Sequence, residues 1–256
     1  MIYQLIFILT MVFCSSEFIT AAPSRNIPPD LLSSYTLNGQ IPMQNWYLDG
    51  TYSKPLVFTK EDFNNNIAKA LKRETNYYGQ TDTHLYHALD DLAKDIRGKE
   101  VGIIGSTAPW YESIILSYGA TPVVIEYNPI KSEDQRVTYM TPEQFKKNPK
   151  KFDLLLSISS VNHDGLGRYG DTLNPNGDLE SMKNFQTMLN PNGKLLLAIP
   201  VGPDKLYWNA HRVYGPLRLK MLLKGWKVDK YYGFNIEQLT TGIGYLPLFL
   251  LEVNNK

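Results

Sequence analysis

Gly105 and Glu126, roughly twenty residues apart, have the chemistry and spacing to hold a nucleoside. Gly105 follows a short apolar stretch in Val101-Gly102-Ile103-Ile104-Gly105-Ser106-Thr107-Ala108-Pro109-Trp110. It can take the backbone turn that a nucleotide loop requires. Pro109 suits the first turn of the next helix, whose free N–H groups attract negative groups. Glu126 closes the following apolar stretch, where a carboxylate can accept both hydroxyls of an adenosine ribose. The same residues also fit a tight structural turn and a solvated loop acid. The pair does not separate S-adenosylmethionine from a nicotinamide cofactor, since both use a glycine turn and an acid at these positions.

A second group lies in Ser159-Ser160-Val161-Asn162-His163-Asp164 and the glycine-rich run after it. His163 can take a proton from an acceptor hydroxyl, with Asp164 or Asp171 orienting the imidazole. The competing reading is a fixed loop in which Arg168 pairs with Asp171 or Asp178 and His163 is bonded within it. His163, Asp164 and Asp171 show no repeated ligand spacing, so no metal site is assigned. Trp208, His211, Arg212 and Tyr214 suit either an acceptor-pocket wall or ordinary packing. The chain has no Gly-x-Ser-x-Gly elbow of an α/β serine hydrolase.

Positioning these groups requires alternating strands and helices. Short apolar runs at Val101 to Ile104, Pro122 to Ile125, Phe152 to Ile158 and Leu195 to Ile199 are separated by turn residues and helix-like stretches. That is the pattern of βαβ crossovers and a buried parallel sheet, whose ligands bind beyond the carboxyl ends of the strands. Thr59 with Asp62 predicts a helix cap, and Asp82 or Thr83 a second one, before an apolar stripe from Leu85 to Ile96. Gly215 to Leu223 reads as a helix, then Trp226 to Tyr231 and Leu246 to Val253 as strands. Residues 23–58 carry several prolines and no sustained period, which reads as an irregular stem or wrap, and place the domain at 59–256.

The 256 residues, 43% hydrophobic and 20% charged, suit one folded domain. A net charge of +1 with no basic stripe leaves no nucleic-acid partner to be expected. Residues 1–22 begin with an apolar run from Ile2 to Cys14 and then turn small and polar, the layout of a secretory signal peptide. The run is too short for a membrane span, although its n-region lacks Lys and Arg and an uncleaved N-terminal anchor is the alternative. Cys14 is the single cysteine, so a chain cleaved after the leader has no thiol for disulfides or metal. The expected location is the secretory pathway or the cell exterior.

The succession GKEVGIIGS, TPVVIEYN, KFDLLLSISS, LNPNGKLLLAIPVG, RVYGPLRLKMLLKGWKV and LPLFLLEV resembles the order of class I methyltransferases over roughly residues 80–253. Within it, His163-Asp164-Gly165-Leu166-Gly167-Arg168-Tyr169-Gly170-Asp171, with Gly177-Asp178 after it, resembles a signature of a nematode family of unknown function whose fold is methyltransferase-like. The resemblance implies an α/β fold, a doubly wound and mostly parallel seven-stranded sheet with an antiparallel C-terminal strand pair. It implies S-adenosylmethionine as cofactor, with Gly105, Ser106, Thr107, Glu126 and Ser159 along it and His163 and Asp164 as catalytic candidates. Such an enzyme would be an O-methyltransferase acting on a small or glycan hydroxyl acceptor. The chain departs from the pattern at Ile103, where an acid is usual, and at Thr107 and Pro109, where further glycines are usual. These departures support an alternative: a catalytically inactive methyltransferase-like binding or scaffold protein.

Overall fold

The computed structural model describes residues 24–50, 54–241 and 246–254, so the leader expected at 1–22 lies outside the described residues. The chain begins with α1 (Pro29–Tyr35), β1 (Met43–Trp46) and β2 (Leu56–Phe58), followed by α2 (Lys60–Leu71) and α3 (Gln80–Ile96). The alternating part runs β3 (Glu100–Ile104), α4 (Trp110–Ser117), β4 (Thr121–Ile125), β5 (Ile130–Ser132), β6 (Thr138–Met140), α5 (Pro142–Lys147) and β7 (Phe152–Ile158). Then come α6 (Gly177–Thr187), β8 (Leu189–Ala198), β9 (Lys205–Asn209), β10 (His211–Val213) and α7 (Pro216–Leu222). The chain closes with β11 (Trp226–Tyr232), α8 (Gln238–Thr241) and β12 (Leu248–Val253).

The main sheet has seven strands in the order β11-β12-β8-β7-β3-β4-β6. Its five strands from β8 to β6 are parallel, and β12 runs antiparallel to both β8 and β11. This is the mostly parallel, doubly wound sheet with an antiparallel C-terminal pair that the resemblance implied. The central strands are apolar at nearly every position because both faces are covered. Val101, Ile103, Leu154 and Leu156 face one cluster with α2, α3 and α4, while Val123, Leu155, Leu195 and Leu197 face another with α6 and α7. Alternation of successive side chains assigns neighbours in one strand to opposite faces.

Local signals explain most of the helix starts. Thr59 and Asp62 form the expected reciprocal capping box, the Thr59 hydroxyl accepting from the Asp62 N–H and the Asp62 carboxylate from the Thr59 N–H. Asp82 does not cap α3, which already starts at Gln80. Its carboxylate is buried, accepting from the Trp110 Nε1–H at 3.0 Å and the Asn76 N–H at 2.7 Å, and so ties α3 to α4. A charged side chain with three neutral donors in reach, Tyr111 the third, is better satisfied inside than at a helix end.

Of the stem or wrap expected before residue 59, the described residues form a wrap. β1 pairs in parallel with β9, and β10 completes a small three-stranded sheet. Tyr35, Ile41, Leu166, Leu206 and Trp208 form its own apolar cluster. The buried Asn209 amide accepts from the Leu48 N–H at 2.8 Å and donates to the Leu48 carbonyl at 2.9 Å, which anchors the chain where β1 ends. The Gly50 N–H donates to the Arg168 carbonyl at 2.8 Å. Residues 43–50 are thereby held against the glycine-rich loop that follows β7.

Candidate functional site

Strand order reverses at β3, which has β4 on one side and β7 on the other, so a ligand crevice belongs at the carboxyl ends of these strands. A cleft of about 1320 Å³ lies there, lined by Gly105, Ser106, Glu126, Ser159, His163 and Arg168 among others. It exceeds the roughly 300–1,000 Å³ typical of small-molecule sites. The cofactor-side and acceptor-side residues expected from sequence share this one cleft.

Gly105 turns with φ +79°, and a Cβ there would come within 2.5 Å of the Ser160 Oγ, so both conformation and space require glycine. The turn aims the Ser106 N–H at Glu126 Oε2, 2.9 Å away, while Glu126 Oε1 accepts from the Asn128 N–H at 2.9 Å. Glu126 therefore ties the loop after β3 to the loop after β4, and it lines the cleft as well. Burial raises its carboxyl above the ordinary value, against the pull of these N–H donors. An ionised carboxylate has about four acceptor positions, so two backbone donors and the more distant Asn128 side-chain amide at 3.4 Å leave room for a ribose hydroxyl. Thr107 is exposed at the cleft, and Ser159, at φ +51°, lines it together with Tyr78. Ile103, where an acid is usual, is a buried core residue and faces no ligand space.

Glu112, which sequence reasoning missed, stands behind the cleft rather than on it. It is fully buried on the first turn of α4, where its Oε1 accepts from the Ser106 Oγ at 2.5 Å and its Oε2 has no hydrogen-bond partner. The Ser106 side chain thus faces Glu112, and Ser106 meets the cleft through its backbone. Burial with no cation nearby pushes the Glu112 carboxyl up to about 7. The signal was present: Glu112 is the one charged residue in the apolar helix WYESIILS. Because the folded protein holds this proton where the unfolded chain, at about 4.3, has released it, the associated stability is complete at low pH and is lost as pH rises toward 7. Glu112→Gln, which mimics the neutral acid, is expected to melt near the wild type at pH 5 and above it at pH 8. Parallel melting profiles across that range would contradict the assignment.

On the acceptor side a single 3-10 turn, Val161–His163, carries the imidazole to the cleft. The His163 Nδ1–H donates to the Ala210 carbonyl at 2.6 Å, and Nε2 accepts from the Asn162 amide at 3.2 Å. Both nitrogens are engaged, and burial together with the Arg168 charge pushes the imidazole down to about 3. The backbone orients His163; neither Asp164 nor Asp171 does. Asp171 instead accepts from the N–H groups of Gly165, Gly167 and Tyr169 and so shapes the loop. Arg168 pairs with neither Asp171 nor Asp178; its Nη1 donates to the Ala210 carbonyl at 3.2 Å. Asp164 lines the cleft with its carboxyl pushed up by burial to about 8, so it stands protonated at neutral pH.

The distinctive run from His163 to Asp178 is thus first a scaffold. A Cβ on Gly165 would sit 2.1 Å from the Asn174 carbonyl oxygen, and Gly177 packs against the Gly165 N–H. Asp178 is wholly buried and paired with Arg218 at 2.5 Å and Arg212 at 3.7 Å, with the Tyr214 hydroxyl donating at 3.0 Å. Arg212 and Arg218 also donate to the carbonyls of Asp164 and Pro175, fastening both ends of the loop. Of the residues expected as a pocket wall, His211 lines the cleft, whereas Trp208, Arg212 and Tyr214 are buried in support. Among the described residues no three His, Cys, Asp or Glu side chains gather to hold a metal ion. Among them also, no helix is long and apolar enough to cross a membrane.

Residues 98–241, more than half of the chain, match the family described as Caenorhabditis protein of unknown function, DUF268. No curated protein matches the chain. Among solved structures it is similar to 1,6-didemethyltoxoflavin-N1-methyltransferase from Burkholderia thailandensis, with 14% identity, 82% of this chain and 100% of that chain covered and a TM-score of 0.48. It is also similar to an S-adenosylmethionine-dependent methyltransferase from Clostridium acetobutylicum, with 9% identity, coverage of 76% and 99% and a TM-score of 0.47. A Rhodobacter sphaeroides protein assigned to the Zn-dependent alcohol dehydrogenases gives 12% identity, coverage of 74% and 98% and a TM-score of 0.48. These likenesses carry no function over to this chain.

Proposed function

Since the chain belongs to the family described as Caenorhabditis protein of unknown function, DUF268, we propose that this member is an S-adenosylmethionine-dependent O-methyltransferase with a small or glycan hydroxyl acceptor. The observation that carries the reading is the open cleft, which runs from Gly105 and Glu126 without interruption to His163. A scaffold protein that had lost the cofactor has no need of that space, and the loop from Ser106 to Ala108 lines the cleft without closing it.

The residues present fit the adenosine half of the cofactor. Glu126 would take the ribose hydroxyls, the turn at Gly105 would let the adenosine lie against the backbone, and Thr107 and Ser159 would flank the methionine half. When bound, the cofactor supplies an electrophilic methyl group. The protein orients the acceptor hydroxyl toward it; His163, neutral and with both ring nitrogens held by Ala210 and Asn162, is a fixed wall of the acceptor end. Asp164, protonated at neutral pH, becomes a proton acceptor as pH rises through about 8. Turnover is therefore expected to climb over that range.

Calorimetry with S-adenosylmethionine and S-adenosylhomocysteine tests the cofactor directly, with NAD as the comparison ligand. Heat with the first two and none with NAD is expected; silence with both at millimolar concentration would sink the reading. The apolar leader at 1–22 supports a secretory or extracellular location, with the anchor as the alternative. Recovery of the intact N-terminus from Met1 to Glu17 on native material would overturn cleavage.

A further inference from the structure

We propose that the acceptor end of the cleft is a binding site for a ring-bearing carboxylate, with Arg168 as the group that takes the carboxylate. As an assignment of the acceptor class this rests on the methyltransferase reading; as a binding site it does not, because the anion is read from its own residues.

Arg168 lines the cleft, yet among the described residues its guanidinium has no carboxylate within ion-pair distance. Its Nη1 donates to the Ala210 carbonyl, its Nε–H is buried without a hydrogen-bond partner, and the plane stands 4.9 Å from the Tyr169 ring. Arg168 is half-buried with its Nε–H wholly enclosed, and a guanidinium so placed gains from a counter-charge in the cleft. The neighbours do not neutralise it. The Asp171 carboxylate is turned to three backbone N–H groups and stands beyond ion-pair distance of Arg168, and Asp164 is held protonated by burial. His163 and His211 stay neutral, pushed down to about 3 and about 4 by burial first and by the charge of Arg168 second. The other charged residues lining the cleft are Asp49, Glu126 and Lys146, of which Glu126 is tied to the loop after β3.

Two features choose the ligand class. A planar guanidinium presents its N–H groups as a fork that matches a planar carboxylate, and no second arginine lines the cleft to share the larger charge of a phosphate. The wall around Arg168 is aromatic. Trp46 meets His211 edge-on with ring centres 5.6 Å apart, His163 meets Tyr169 at 5.4 Å, and Trp46 keeps half of its surface exposed. Such a wall stacks on a ring rather than on an extended chain.

The test uses the purified full chain without cofactor and three probes that share a ring: benzoate, its neutral isostere benzamide, and phenyl phosphate. Benzoate is expected to bind about tenfold or more tightly than benzamide, a difference of about 1.4 kcal/mol per decade. Arg168→Gln should remove that preference and leave benzamide binding as it was, and Arg168→Lys should restore part of it. Equal affinities for benzoate and benzamide in the wild type overturn the proposal without any variant, as does the absence of benzoate binding at millimolar concentration. Tighter binding of phenyl phosphate than of benzoate would assign the site to phosphoryl groups and overturn it too. S-adenosylhomocysteine titrated into the same samples separates the two readings. Silence with that ligand alongside an Arg168-dependent benzoate preference discards the methyltransferase and keeps the anion site.

Discussion

Replacing Asp178 by asparagine is expected to lower the stability of the fold by about 3–5 kcal/mol, the cost of breaking a buried ion pair from one side. Asp178 has no exposed surface and is the only carboxylate, among the described residues, within ion-pair reach of Arg218 and Arg212. Burial alone would raise its carboxyl, but the two guanidiniums outweigh that and hold it below the ordinary value. The amide keeps the shape and the acceptor for the Tyr214 hydroxyl, yet leaves two buried cations without their charge. Because the folded value is depressed, the stabilisation is complete above the unfolded value of about 3.9 and is lost as pH falls through the folded one. The variant should therefore show a shallower acid limb than the wild type in its stability profile. For a domain of this size the drop corresponds to about 2–4 °C per kcal/mol in Tm. A loss below about 1 kcal/mol in urea unfolding would mean that the arginines find other partners and that the loop from His163 to Asp178 is not fastened by this pair.

Glu126→Gln is expected to lower the affinity for S-adenosylhomocysteine by about tenfold or more, since each charge-assisted bond to a ribose hydroxyl is worth about 1.5–3 kcal/mol when desolvated. The change also costs folding stability. Glu126 gives one oxygen to the Ser106 N–H and the other to the Asn128 N–H, and the amide nitrogen of glutamine would face one of these donors. A further loss of about 1–3 kcal/mol in folding stability is expected from the unpaired group. The two effects are read independently, by calorimetry under conditions where the variant is folded and by its melting temperature. If only the melting temperature moves, Glu126 is a loop clamp and the nucleoside assignment fails.

The central strands were legible because parallel strands buried on both faces are written as short apolar runs, and β7 came out with its bounds as observed, Phe152–Ile158. Gly105 and Glu126 were legible as neighbours because they close successive parallel strands, whose carboxyl ends meet at one crevice. The wrap from 29 to 48 was legible only as an irregular stem or wrap, since β1 is exposed along its whole length and its side-chain contacts with β9, such as Trp46 on Tyr207, leave no apolar alternation to read. Charged residues default to the surface, which hid the buried cluster of Asp178, Arg212 and Arg218 and the role of Asp82. The partner of His163 escaped for a related reason. It is the backbone carbonyl of Ala210, 47 residues away, and no side-chain pattern announces a carbonyl.

The most direct measurement is a crystal structure of the full chain grown with millimolar S-adenosylhomocysteine. The account predicts density in the cleft with both ribose hydroxyls within about 2.5–3.0 Å of the Glu126 carboxylate and the adenosine against the Gly105 turn. Its homocysteine end should point toward His163. An occupied nucleoside whose ribose lies away from Glu126, or a cleft without ligand at saturating concentration, would contradict it.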